Sequence, residues 1–428
     1  MALTEQGVPV ARWIFYAFVL ALPLTDVLSF SPWLPPPMLM LLLLGFFTFL
    51  QPQVISFEKT DFLLGLVVIS SIVPFLWSME FVNEKTAAHL AALVTTIGVY
   101  YLLVRCWLIH VGKEPRRLQR IFDVIALSTL ITSCYIFAEF LLVNVAGFDP
   151  SGPLPHLSRP EYLASVLHET GGLVSRARGF ASESGIMALF FELAIFVSFL
   201  SIRRFGWPVF LVFYGIVFGA FVLLFSVGGM VSVILASAIY GIIAGPKTAL
   251  KVFFAFAILI SAIAFSFPDE AALFVDQTIV YKLALLTETN PMGSAGDRVD
   301  LYRSLATLVV DYPLGIGVGI APAVAESGGN YHGHFLSAGQ VSLYGFLLVS
   351  GGIVAMLAFG AFFFAHIWKA MRCGPYRGPL FMAGMSLAIH HLLVTEFWMP
   401  TLWFYFALVA VVSHHHSSPR AEPEAEMA

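Results

Sequence analysis

Charge is what this chain has least of. Only 11% of its 428 residues are Asp, Glu, Lys or Arg, against the ~25% that coats an ordinary soluble domain. Such a chain cannot cover a water-facing surface, which excludes a soluble globular fold. Cysteine is nearly as scarce. Cys106, Cys134 and Cys373 offer neither a disulfide framework nor the spacing of a metal site, and each reads as an inert packing residue. A cleavable leader is lacking too. The first apolar stretch, Trp13 to Phe30, is too long for a signal-peptide core and has no small-residue cleavage site behind it, so it reads as a retained helix. Short internal repeats are missing, and low complexity is confined to the tail from His414 to Ala428. Divalent-ion motifs and cofactor fingerprints are also lacking, so neither a metal nor a cofactor is expected.

What the chain has in excess is apolar and aromatic surface: 59% of residues are hydrophobic, 15% aromatic, and the mean hydropathy is +0.87. Apolar runs of spanning length recur at 12–30, 36–52, 60–78, 86–106, 119–145, 184–202, 207–226, 229–245, 248–267, 338–365, 377–395 and 398–413. The expected fold is an all-α polytopic membrane protein with about twelve transmembrane helices. Residues 1–413 form a single transmembrane domain and 414–428 a cytoplasmic tail. Two long segments are not apolar enough to span, 146–183 and the larger 268–337 between helices 9 and 10.

Most of the 22 Lys and Arg fall in alternate connections if the N-terminus is cytoplasmic, which places both termini inside. Both long segments are then extracytoplasmic. They carry Arg159, Arg176, Arg178, Lys282, Arg298 and Arg303 against the usual bias, a reason to look for an anionic ligand. The intramembrane runs are nearly free of charge, with Asp26, Asp123, Glu139 and Glu192 the main exceptions, expected near helix ends.

Three clusters carry chemistry. In Ser175 to Gly185 (SRARGFASESG), Arg178 presents a fixed fork of donors suited to phosphate oxygens, Gly179 permits close backbone approach, Ser182 can cap the following helix and Glu183 enters its first turn. The plainer alternative is a snorkelling arginine beside a helix-start carboxylate. In Gly296 to Arg303 (GDRVDLYR), Arg298 and Tyr302 share a helix face while Arg303 points elsewhere; a salt bridge from Arg298 to Asp297 or Asp300 is the structural alternative. Asp311 to Gly319 (DYPLGIGVG) lacks a Walker lysine and reads as a tight turn after a short amphipathic helix. In Asn330 to Ser337 (NYHGHFLS), His332 and His334 alternate, so an extended segment would put them on one face, where a histidine can take a proton from a hydroxyl. His334, nearer the helix start, is the first choice as base and His332 the second. His390, His391, Glu396 and Trp398 can line the same cavity or serve packing alone. The run His414 to His416 reads as solvated tail.

In this order and on these segments, the clusters resemble the O-antigen ligase and Wzy-type polysaccharide polymerase superfamily. The family pairs an Arg-x-Gly-Phe-type motif before a mid-chain helix with a large late loop. That loop carries an Arg, a Pro-Leu-Gly-x-Gly-x-Gly stretch and a His-containing segment before a Gly-rich helix. The matching residues here are Arg178-Gly179-Phe180, Arg298, Pro313 to Gly319, His332 and His334, then Gly345 with Gly351 and Gly352. The motif-level resemblance covers roughly 146–370. Two departures stand out. Ser182-Glu183-Ser184 replaces the Asn or Pro-Asn frequent in ligases and looks more like the polymerase branch. The usual His-Asn pair reads His332-Gly333 or His334-Phe335.

The resemblance implies a GT-C-like, metal-independent, inverting glycosyltransferase of the bacterial inner membrane with a periplasmic active site. It would move a nascent glycan from undecaprenyl pyrophosphate to the non-reducing end of a lipid-linked repeat unit. It further implies pyrophosphate binding by Arg178 and Arg298, with Arg176 and Arg303 in reserve, and a base at His334, His332 or Glu183. Tyr302 and Tyr331 would bind substrate. Partners would be the lipid-linked donor and acceptor, the bilayer, and chain-length regulator or flippase proteins, with no nucleic acid. An O-antigen ligase or protein O-oligosaccharyltransferase is the alternative, and a non-enzymatic glycolipid transporter the second.

Overall fold

The computed structural model describes residues 2–29, 34–50, 57–156, 175–247, 304–336 and 342–417. The helices are α1 (Ala2–Ala21), α2 (Pro36–Leu50), α3 (Asp61–Ile72), α4 (Glu84–Val111), α5 (Pro115–Ala146), α6 (Ser184–Ile202), α7 (Trp207–Leu223), α8 (Val227–Ala244), α9 (Ile320–Glu326), α10 (Leu343–Met371), α11 (Arg377–His390) and α12 (Pro400–Ser417). A further helical stretch occupies 304–311. Among the described residues, paired strands are confined to a hairpin of β1 (Asn330–Tyr331) and β2 (His334–Phe335) and an isolated bridge between Val27 and His156.

Five of these helices, α4, α5, α6, α8 and α10, are long and apolar enough to cross a bilayer; α1, α2, α3, α7 and α12 contain shorter apolar stretches. The chain is an all-α membrane protein. Its outer surface carries large apolar side chains such as Phe46, Phe49, Leu141, Ile242 and Phe364, a coat that water would not tolerate and hydrocarbon does.

α12 forms the centre, with Leu402 to Val412 buried throughout. Phe404 meets Phe18 of α1, Trp403 meets Tyr101 of α4, and Phe406 meets Phe362 of α10, with ring centroids 6.2, 6.2 and 4.9 Å apart. α11 approaches so closely at Gly384 that a Cβ there would lie 1.9 Å from the Tyr405 hydroxyl. In lipid, where no hydrophobic force draws helices together, small residues at such crossings supply the packing.

The ends of the bundle differ in polarity. At one end Arg105, fully buried, makes a bidentate pair with Asp61 at 2.6 and 2.7 Å, Lys369 reaches Glu58 at 2.6 Å, and Arg204 reaches Asp123 at 2.7 Å. At the other end lie the start of α6, the start of α10 and the end of α11, where the Leu343 amide donates to the carbonyls of His391 and Val394.

Several expected boundaries are corrected. The first helix is Ala2–Ala21 rather than 12–30. Pro23 follows it, and the amides of Asp26 and Val27 donate to the Phe180 carbonyl instead of continuing a helix. α11 stops at His390, five residues before the expected end, because the chain turns through 391–399 to start α12. Glu192 lies in the middle of α6, not near an end, and pairs with His390 of α11 at 2.5 Å. Cys134 is exposed rather than packed. The expected span at 248–267 lies outside the described residues.

One helix is broken. α10 loses helical geometry at Gly351 (φ −133°) and Gly352 (φ +67°). The carbonyls of Val349 and Ser350 at this break accept from the amides of Ile316 and Gly317, and the Ile353 amide donates to the Pro313 carbonyl. The turn Pro313 to Gly319 thus inserts into α10 and replaces the helix hydrogen bonds that the break removes, so irregular backbone is satisfied inside a bundle. Val318 adds a bond to the Ser71 carbonyl of α3, and Trp77 Nε1 donates to the Gly315 carbonyl.

Candidate functional site

The loop before α6 is gripped from three sides. Glu139 of α5, fully buried, accepts from the amides of Arg178 and Gly179 at 3.1 and 2.7 Å through one carboxylate oxygen. Asn144, one turn further along α5, pairs with both the amide and the carbonyl of Ser175. The Ala177 amide donates to the Leu223 carbonyl of α7, and Phe180 stacks on Tyr135 with centroids 4.2 Å apart. Gly179 adopts φ +64°, and a side chain there would press on Met187 and Ile136.

This clamp fixes two guanidinium groups. Arg178 is 6% exposed, and its Nη2 lies 3.8 Å from Asp149 Oδ2. Arg176 is half-buried; burial lowers its pKa, Glu183 opposes that shift and Arg178 adds to it. Glu183 is exposed and occupies the N-cap of α6 without a side-chain cap bond, so Ser182 is not the cap. The helix starts at the expected position, and Ser184 enters it buried, while Glu183 stands just before the first turn rather than in it.

The histidines sit on a hairpin. Tyr331 faces His334 across β1 and β2, and His332 with Gly333 forms the two-residue turn. His332 takes φ +45° and Gly333 φ +93°, both left-handed as such a turn requires. His332 and His334 therefore do not share a strand face as alternation suggested, because the chain reverses between them. His332 Nε2 lies 3.2 Å from Glu80, while His334, less exposed, lies 2.9 Å from Asp311 Oδ2. Tyr312 lies between them, its ring 6.4 Å from His332 and 6.0 Å from His334. Tyr331 is wholly buried and bonds the Ser78 hydroxyl at 2.8 Å, which suits holding the hairpin in place. Burial raises its own pKa, and Ser78 opposes the shift.

Beside the inserted turn lies a cavity of about 160 Å³, lined by His89 of α4, Gly317 and Gly319 of the turn, Ser350 of α10, and Glu396 and Trp398 after α11. Burial and the Glu183 charge together push the Glu396 carboxyl up to about 7. The Glu183 charge acts on both Arg176 and Glu396, which ties the arginine loop electrostatically to the cavity.

Of the residues expected from the sequence, Arg176, Arg178, Glu183, Tyr331, His332 and His334 lie on this end. Arg298, Tyr302 and Arg303 lie outside the described residues. Sequence reasoning missed Glu139 as the loop clamp, although it stood out as a carboxylate in an apolar run. It missed His89 altogether, since a lone histidine at a helix start carries no signal. Asp311 was inside a flagged motif, but its role needs the hairpin to fold back on it. Compared against known protein families and curated proteins, the chain matches none of them.

Proposed function

We propose that the chain is a polysaccharide polymerase of the bacterial inner membrane. In this reading it moves a nascent glycan from undecaprenyl pyrophosphate to the non-reducing end of a lipid-linked repeat unit on the periplasmic face, with both termini cytoplasmic. The observation that supports the reading is the polar rim at one end of an apolar bundle, which holds both the clamped arginine loop and the Asp311–His334 pair.

The acceptor hydroxyl oxygen attacks the anomeric carbon as the bond to the pyrophosphate oxygen breaks. The bonding pair leaves with the pyrophosphate and the centre inverts. Negative charge that develops there is met by preorganised donors, the role that Arg178 and Arg176 suit. Glu139 holds the Arg178 backbone, so its guanidinium needs no rearrangement as charge appears. The proton from the acceptor passes to His334. With its Nε2 hydrogen donated to Asp311, the ring keeps Nδ1 as the basic atom, and the carboxylate stabilises the imidazolium that forms. His332, at the exposed turn beside Glu80, is the weaker choice. Glu183 contributes a counter-charge to Arg176.

Ligase or protein O-oligosaccharyltransferase activity would use the same rim with a different acceptor. The transporter reading draws on the break in α10, since discontinuous helices build transporter sites. The inserted turn weighs against it: the carbonyls freed at the break are taken by Ile316 and Gly317 rather than offered to a ligand. Arg178→Ala tests the reading in cells. Glycan output should fall by about 10²–10³-fold while membrane insertion stays intact; undiminished output would overturn the mechanism.

A further inference from the structure

The cavity beside the inserted turn takes no part in the transfer chemistry above, yet its walls are specific. Trp398 contributes a half-buried ring, fixed edge-on by Phe346, Phe397 and His89 at centroid distances of 5.5, 5.2 and 6.2 Å. Glu396, Thr395 and Ser350 bring polar groups to the same space. His89 Nδ1 bonds the Lys85 carbonyl at 2.8 Å, which leaves Nε2 of the neutral ring as an acceptor. An indole ring and several polar residues around one space match a ligand with an apolar face and a rim of hydroxyls. The volume of about 160 Å³ lies well under the ~300 Å³ at which drug-sized sites begin, and it suits a single ring.

We propose that this cavity is a saccharide subsite that seats one neutral pyranose ring of the acceptor, with Trp398 as its stacking face and Glu396, His89 and Thr395 meeting its hydroxyls. The inference rests on the glycan-transfer reading for its choice of ligand. Charge supports a neutral sugar. Among the described residues no Lys or Arg lines the cavity, and the Glu183 charge acts on Glu396. A uronic acid would therefore meet the Glu183 charge with no cation from the described lining. A carboxyl that still holds its proton near neutral pH can both donate to and accept from a hydroxyl, as sugar recognition demands. Position supports an acceptor: the cavity borders the turn Pro313 to Gly319, which directly follows Asp311, the partner of the proposed base His334.

The test uses full-length protein in detergent micelles, probed by saturation-transfer NMR with methyl glucoside, galactoside, mannoside and N-acetylglucosaminide, and with methyl glucuronide. At least one neutral glycoside should bind, the glucuronide should not, and Trp398→Ala should weaken binding about tenfold or more. Thr395→Phe, which fills the cavity from a position outside the helices, should abolish binding, whereas Arg204→Ala, at the opposite end of the bundle, should leave it unchanged. No neutral binder above empty micelles, wild-type affinity in both cavity variants, or preference for the glucuronide would each overturn the proposal. Turnover of a lipid-linked repeat in the same preparation separates the two readings. Turnover without cavity-dependent glycoside binding removes the subsite alone. Binding without turnover leaves the subsite standing and removes the transferase reading.

Discussion

Glu396 sits where burial and the nearby Glu183 carboxylate push in one direction, lifting its pKa from 4.5 to about 7. The folded state therefore favours the protonated acid. That preference is fully present below pH 4.5 and is lost as the pH rises through about 7. Wild-type thermal stability in detergent should decline across this window, and Glu396→Gln, neutral at every pH, should flatten the decline. Parallel profiles for the two proteins would show that Glu396 does not titrate as argued. His334 belongs to the same scale: removing it should lower the transfer rate about 10²–10⁴-fold, the usual span for a general base, while the lipid-linked donor still binds. Donor binding on immobilised protein, read beside turnover, checks both halves. The arginine loop stood out in the sequence because charge in so apolar a chain is rare enough to mark itself. The relation between the histidines was not. A period of two holds only while the backbone stays extended, and Gly333 after His332 lets the chain reverse.

At the level of elements, the inserted turn and the broken helix form a single device. Gly351 and Gly352 stand in the sequence only as members of a Gly-rich helix inside an apolar run. Nothing local shows that their helix bonds are replaced by Pro313, Ile316 and Gly317, whose spacing along the chain puts them in another segment. Tight turns at the glycine-rich stretch were legible, because three alternate glycines permit left-handed backbone; the place where they dock was not. A Cβ at Gly352 would lie 2.3 Å from the Pro313 carbonyl oxygen, at φ +67°. Gly352→Ala should therefore destabilise the protein by about 1–3 kcal/mol or more through strain and overpacking. Chemical denaturation in mild detergent, followed by tryptophan fluorescence, measures the loss. An alanine variant as stable as wild type would contradict the inserted-turn account. The α5 clamp on the arginine loop is of the same kind, since Glu139 looked like an isolated carboxylate until the loop folded over it.

For the whole molecule, the apolar runs anticipate most described helices, because a bilayer leaves the backbone few options but helix. End positions were less legible where an end is set by tertiary bonds, as at Pro23 and after His390. Orientation remains a sequence expectation, and it can be measured. In a background without native cysteine, Glu326→Cys and Arg204→Cys mark opposite ends of the bundle. A membrane-impermeant maleimide should label position 326 from the periplasmic side and position 204 only after the inner membrane is breached. Labelling of both from one side would contradict the expected topology.

The most direct test of the central proposal is reconstitution of the purified protein in liposomes with one undecaprenyl-pyrophosphate-linked repeat unit and no other acceptor, resolved on a gel. A ladder of lengthening glycans, lost in Arg178→Ala, is the expected result. Absence of any ladder with a verified donor would contradict the polymerase reading, and transfer appearing only once lipid A core is supplied would assign the same site to a ligase.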